Sequence, residues 1–156
     1  MSQGADGAAA LLRRDGPVQR RPHHNRYTLV NRSADALIED AHNCGLGIVN
    51  AAVLGGGILA AGAVATARYA HREADRPFLR AVRDIEEVGR SAGFRLATAA
   101  IQFSARDPQI ATTTVYVSRP ERVLENLDLA LFSIPEGTWA TIDEIVAAVG
   151  PIAGPG

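Results

Sequence analysis

The run Ile110-Ala-Thr-Thr-Thr-Val-Tyr-Val-Ser-Arg-Pro-Glu-Arg-Val-Leu-Glu-Asn126 joins a strand to a helix. Ile110 to Val117 is β-branched and aromatic, which suits a pleated, half-buried backbone. Ser118-Arg119-Pro120-Glu121 then has the spacing of a capping box. In that motif the Ser118 hydroxyl accepts from the first-turn amides, and Glu121 reaches back to the Ser118 N–H. Pro120 fits a first helical turn, where its missing N–H is not needed. Val123, Leu124, Leu127, Leu129 and Leu131 supply the apolar side of the helix that follows.

The pattern repeats on both sides of this run. Upstream, Tyr27-Thr-Leu-Val30 reads as a short strand, and Ser33 with Asp35 reads as the cap and first turn of a helix. Leu37, Ile38, Ala41 and Cys44 recur at helical spacing until Gly45, and Cys44 is expected as a small buried hydrophobe. Gly47 to Val53 reads as a buried strand running into the tight loop Gly55-Gly56-Gly57. Arg68 to Arg76 is mixed in charge and reads as a loop or an irregular helix. Phe78, Val82, Ile85 and Val88 stripe a helix over 77–92 that Gly93 ends, and Leu96, Ala99, Ala100 and Phe103 mark a second. A last helix from about Pro135 to Val149 buries Trp139, Ile142, Ile145 and Val146. Residues 1–24, rich in Gly, Ala, Arg and Pro, read as a disordered tail, and Pro151 to Gly156 as a second tail.

Strand, helix, strand, helix pair, strand, helix, helix is the order of an α/β fold with parallel strands and crossover helices. Three strands leave the sheet edges open. At 156 residues the chain holds one domain but not a whole eightfold β/α barrel, which takes about 250 residues.

Composition excludes several chemistries. All sixteen basic residues are Arg, so Schiff-base, pyridoxal-phosphate and Walker A lysine chemistry is absent from these residues. A single cysteine makes no intramolecular disulfide and no cysteine-based metal site, and it fits a reducing cytoplasm. His23-His24 on a basic segment reads as solvated rather than metal-binding. A net charge of −1 gives no footprint for nucleic acid or an anionic membrane. Ala41 to Ala67 is long enough to span a bilayer, but its Ala and Gly content contributes little transfer energy, so a strand and glycine loop explain it better. No histidine follows His71, which argues against a Ser–His–Asp hydrolase, and G-x-G-x-x-G followed by an acidic residue is missing.

Ligands of α/β folds sit at the C-terminal strand ends. Three places qualify: Asn31-Arg32-Ser33, Val53 to Gly57, and Tyr116 to Arg122. The third suits a phosphate, because a helix N-terminus offers amides and a positive dipole end, to which Arg119 and Arg122 add charge. A capped helix with surface arginines is the alternative reading of the same residues.

Asn25-Arg-Tyr-Thr-Leu-Val-Asn-Arg-Ser33, Gly47-Ile-Val-Asn-Ala-Ala-Val-Leu-Gly-Gly-Gly-Ile-Leu59, the run from Ile110 to Asn126 and Ile134-Pro-Glu-Gly-Thr-Trp139 together resemble the aldo/keto reductases, and within them the D-threo-aldose 1-dehydrogenase branch. The resemblance covers roughly 25–150. It implies a partial (β/α)8 TIM barrel, about the last three β/α units, and binding of NADP or NAD across the C-terminal barrel face. It puts Ala52 and Leu54 beside the nicotinamide and pyrophosphate, and Arg122 and Asn126 at the adenosine end. Ser118 falls at the phosphate, and Asn25 or His24 near the nicotinamide ring. Tyr116 departs from the Gly or Lys of many relatives; it either obstructs the pyrophosphate or stacks on adenine.

The family's Asp, Tyr, Lys and His tetrad lies on earlier strands, so the resemblance implies no catalytic residue here. The expected protein is a truncated reductase-like chain, inactive alone, whose substrate class in the intact family is a sugar or carbonyl compound. Other readings stay open: a functionless fragment, a half that complements a separate N-terminal barrel half, a binding-only nucleotide module, and a membrane-anchored protein.

Overall fold

Asp75 starts the longest helix among the described residues. Its carboxylate accepts the Phe78 amide at 2.8 Å, and Pro77 occupies the first turn. The helix ends where Gly93 turns left-handed (φ +80°) and the Phe94 amide reaches back to the Gly89 carbonyl at 2.8 Å.

In the computed structural model, which describes residues 25–63, 68–69 and 72–150, the elements follow in this order. They are α1 (Asp35–Asn43), β1 (Ile48–Asn50), a 3-10 turn at Gly55–Gly57, α2 (Ile58–Ala61), β2 (Arg68–Tyr69), β3 (Arg72–Glu73), α3 (Arg76–Ala92), α4 (Leu96–Ala105), β4 (Ile110–Thr113), α5 (Glu121–Leu131) and α6 (Glu136–Val149). The two expected tails, 1–24 with His23 and His24 and 151–156, lie outside the described residues.

The helices expected from periodicity are present: α3, α4 and α6 match within a few residues. They enclose the core. Phe78, Val82 and Ile85 of α3 meet Leu96, Ala99 and Ala100 of α4 and Trp139, Ile142 and Val146 of α6, with Leu29, Val30, Ile58 and Leu59 from the N-terminal part. The alanines of α4 let it pack closely, since they add no bulk at the contact. Arg106 lays its guanidinium 4.3 Å from the centre of the Trp139 ring.

The strands are shorter than expected. β1 and β4 pair in parallel, with Ile48 opposite Ile110, Val49 opposite Thr112 and Asn50 opposite Thr113, and an irregularity after Ile48. A parallel sheet with helical crossovers is the α/β arrangement the pattern implied. The expected strand from Gly47 to Val53 is cut to Ile48–Asn50, and that from Ile110 to Val117 to Ile110–Thr113. Each strand continues only as far as the other can bond it: the Thr114 amide still donates to the Asn50 carbonyl at 2.9 Å, and past Asn50 the chain turns away.

Tyr27 to Val30, expected as a strand, is instead a series of bends. The Thr28 amide donates to the Asn31 carbonyl at 2.8 Å, and the Thr28 hydroxyl accepts the Asn31 amide at 3.2 Å. Local side-chain bonds thus take backbone groups that a ladder would need. The segment nevertheless lies beside β1, because the Asn50 carboxamide donates to the Tyr27 carbonyl at 3.0 Å.

Four further expectations are corrected. Ser33 does not cap α1: the Asn31 carboxamide oxygen accepts the Ser33 amide at 3.0 Å, and the helix starts after Ala34 without a side-chain cap. Within the segment Arg68 to Arg76, read as a loop or an irregular helix, Arg68–Tyr69 and Arg72–Glu73 are strands, and β2 and β3 pair antiparallel. Cys44 is exposed at the end of α1, which stops there beside Gly45 and so carries it past the packed face. The apolar side of α5 is uncovered: Val123, Leu124, Leu127 and Leu131 are exposed. What ties α5 to α4 is polar, the Gln102 carboxamide donating to the Leu129 and Phe132 carbonyls at 2.9 and 2.7 Å.

Two phenols tie the N-terminal segment down. Tyr27 donates to Asp107, and its ring lies 4.9 Å from Phe103. Tyr69 donates to the Asn25 carbonyl and stacks at 4.4 Å on Phe78. Burial, then the Asp107 carboxylate, pushes the Tyr27 phenol well above the ordinary tyrosine range. Burial raises Tyr69 as well, partly offset by Thr28 and Asn31. Both phenols keep their protons in the folded chain at a pH where the unfolded chain has lost them, near ~10 and above. Stability is therefore full below that range and falls as pH rises through it. Urea midpoints should be level up to pH ~9 and drop beyond ~10. Tyr27→Phe combined with Tyr69→Phe should flatten the drop, and an equally steep drop in that variant would refute the assignment.

Candidate functional site

At the C-terminal ends of β1 and β4 the structure opens a cavity of about 370 Å³. Its walls are Asn25, the segment 51–57 and Thr114 to Tyr116. Three of the residues expected to hold a cofactor, Ala52, Leu54 and Tyr116, line it together. Two chain segments remote in sequence meet there because β1 and β4 are hydrogen-bonded neighbours.

The floor is built by glycine. Gly55, Gly56 and Gly57 all have positive φ (+58°, +71° and +103°), a conformation that side chains disfavour. Gly55 is also required sterically, because a Cβ there would sit 2.8 Å from Cε2 of Tyr69. The Tyr69 ring under the loop is fixed from both ends, by Phe78 and by the Asn25 carbonyl. Asn25 itself is buried with φ +70°, a left-handed conformation that Asn adopts more readily than other side-chain-bearing residues. The Asn31 carboxamide, donating to the Asn25 carbonyl at 3.1 Å, helps hold it there.

Tyr116 forms the outer wall. It is 90% exposed although it borders a cavity. Thr114 and Val115 share that wall, past the end of β4. Tyr69 carried no signal of its role, since it sits in the segment read as a loop or an irregular helix.

Ser118, Arg122 and Asn126 do not line the cavity. They lie just beyond Tyr116, on the approach to α5 and along it. The expected capping box is not formed. α5 begins at Glu121 with Pro120 in the cap position, in helical conformation, and no side chain caps it. Ser118 is therefore two residues before the cap position, exposed, and out of place to accept from the first-turn amides. The Arg122 guanidinium is 3.9 Å from Glu125, whose carboxyl Arg95 holds below the usual carboxylate range. Arg119 is exposed.

These residues fit a nicotinamide nucleotide in two parts. The cavity walls are uncharged, small or apolar side chains and backbone with Asn25, Thr114 and Tyr116 adding a few polar groups, a lining suited to a ring. The uncapped start of α5 with Arg119 and Arg122 carries the positive end that a phosphate needs. No group of three or more His, Cys, Asp or Glu that could hold a metal occurs among the described residues. Among them, too, no helix is long and apolar enough to cross a membrane.

A parallel α/β pair with its cavity at the C-terminal strand ends defines the class, and the sequence defines the family. The chain belongs to the aldo/keto reductase family, whose model matches residues 10–147. It is similar to a D-threo-aldose 1-dehydrogenase from a Pseudomonas species, with 34% identity over 123 residues. That match covers 76% of this chain and 37% of the relative, so the chain spans little more than a third of the relative's length.

Proposed function

We propose that this chain supplies the cofactor-holding side of an oxidoreductase that moves a hydride between NADP or NAD and a sugar or carbonyl compound. The observation that carries the reading is the meeting of Ala52, Leu54 and Tyr116 on one cavity at the ends of β1 and β4. Membership of the aldo/keto reductases and the likeness to an aldose dehydrogenase support it. In this reading residues 25–150 correspond to about the last three β/α units of an eightfold barrel, with Tyr27 to Asn31 standing where the first of their strands would run.

When bound, the nicotinamide ring supplies the hydride acceptor or donor. The chain's own residues do the holding. Ala52, Leu54 and the glycine loop give an apolar, close-approach wall that excludes water from the ring. Ser118 and Arg122, with the first amides of α5, take the phosphates, and Asn126, one turn on from Arg122, faces the adenosine end. None of these residues moves a proton.

General acid–base chemistry comes from outside these residues. The family pattern assigns it to a Tyr supported by Lys, and the chain has no Lys. The partner in this reading is a lysine-bearing N-terminal barrel half. The same lysine-free composition favours a second reading, a non-catalytic nucleotide-binding module.

Fluorescence titration of the purified chain with NADPH and NADH is expected to show binding of at least one. Aldose-dependent reduction of NADP or NAD is expected to be absent until an N-terminal barrel half containing the tetrad is added. Turnover by the chain alone would overturn the division of labour. No binding of either nucleotide would overturn the cofactor cradle, and binding with no gain from the added half would leave the binding module.

A further inference from the structure

We infer that Tyr116 is a stacking platform, and that the strand-end cavity takes one planar heteroaromatic ring between this phenol and the glycine-loop wall. The inference rests on the cofactor cradle proposed above and specifies what enters it. Three observations lead to it. First, Tyr116 is 90% exposed, whereas among the other aromatic residues of the described chain Tyr27, Tyr69, Phe78, Phe94, Phe103 and Trp139 are buried or half-buried, and the next most open, Phe132, is 41% exposed. A tyrosine left that open gains nothing for folding, yet it offers a flat face at low conformational-entropy cost.

Second, the residues that share the cavity with it present no bulky side chain at Gly55, Gly56 and Gly57. A wall of peptide planes accepts a flat ring where branched side chains would hold it off. Third, among the described residues no Lys, Arg, Asp, Glu or His lines the cavity. Its chemistry is that of an uncharged ring, and the charge-bearing groups of a nucleotide must lie outside it, toward Arg119 and Arg122.

Nicotinamide and adenine are both planar heteroaromatic rings, and the test separates them. Calorimetric titration of the full chain would use nicotinamide mononucleotide, adenosine 5′-monophosphate and NADPH as separate probes. The wild-type chain is expected to bind NADPH and one mononucleotide, the one whose ring enters the cavity. Tyr116→Ala should weaken both by about tenfold or more, and Tyr116→Phe should keep most of the affinity, because the face stacks and the hydroxyl does not. The thermal midpoint of each variant should match the wild type, since the side chain is exposed. In NMR spectra, ring protons of the bound mononucleotide should shift upfield with Tyr and Phe at 116 and not with Ala.

Wild-type binding that Tyr116→Ala leaves unchanged would overturn the stacking and spare the cradle. Tighter binding by Tyr116→Ala would overturn it too, showing the phenol to be an obstruction. Failure of all three probes on the wild type would overturn the cradle itself, and the stacking with it.

Discussion

Phe78→Ala should lower the stability of the chain by about 3–5 kcal/mol, the range for deleting a large buried aromatic side chain. Domains of this kind are stable by roughly 5–15 kcal/mol, so the variant should unfold in much less urea. Phe78 is 1% exposed and sits on the first turn of α3, facing α6 and the N-terminal segment. Its ring is also the platform under Tyr69, at 4.4 Å. The loss therefore has two parts, the transfer and cavity cost of the ring and the loosening of Tyr69. Phe78→Leu keeps most of the volume and should cost much less. Urea unfolding followed by circular dichroism measures both. A loss below about 1 kcal/mol for the alanine variant would mean that the core is not centred on this helix.

That prediction was open to sequence reading because Phe78, Val82, Ile85 and Val88 recur at helical spacing and Gly93 ends the run. A helix bonds to itself, so its evidence is local. α4 and α6 were legible for the same reason. Strands bond to remote partners, and there the reading overshot. Ile110 to Val117 has strand composition throughout, but only as much of it pairs as β1 can match. Tyr27 to Val30 has that composition too, yet Thr28 and Asn31 bond the backbone locally and bend it. The apolar spacing along α5 marked the helix but not burial: Val123, Leu124, Leu127 and Leu131 are exposed, and no described element covers them.

The candidate site divides in the same way. The rule that ligands collect at C-terminal strand ends pointed to Val53 to Gly57 and to Tyr116, because it depends on chain direction rather than on strand length, whereas Ala52 and Leu54 came from the family resemblance; all of them line one cavity. It could not place Ser118. Ser-x-x-Glu fits a capping box only if the serine itself takes the cap position, and here Pro120 takes it. The consequence for binding is an α5 start whose amides no side chain occupies, which suits an anion better than the capped helix would. The residues under the loop were invisible for another reason: Tyr69 and Asn25 meet it only through tertiary packing.

Gly55→Ala should show how tightly the site and the core are joined. The backbone at Gly55 has φ +58°, which costs an L-residue roughly 1–2 kcal/mol. Gly57, at φ +103°, shares that kind of penalty, but a Cβ there meets nothing within 4 Å. At Gly55 the new methyl would lie 2.8 Å from the Tyr69 ring, and that ring has nowhere to go. Phe78 packs on it, and its hydroxyl is bonded to the Asn25 carbonyl. Overpacking of this kind adds about 1–3 kcal/mol, so Gly55→Ala should cost about 2–5 kcal/mol and Gly57→Ala only the backbone share. If the ring yields instead, it pulls on Asn25, which lines the cavity. Gly55→Ala should then weaken NADPH binding as well as stability. Replacing Tyr69 by Leu in the same chain should reduce the extra cost, because the ring edge that meets the methyl is gone. Equal losses at 55 and 57, measured by urea unfolding, would show that the Tyr69 contact plays no part and that the glycines serve the backbone alone.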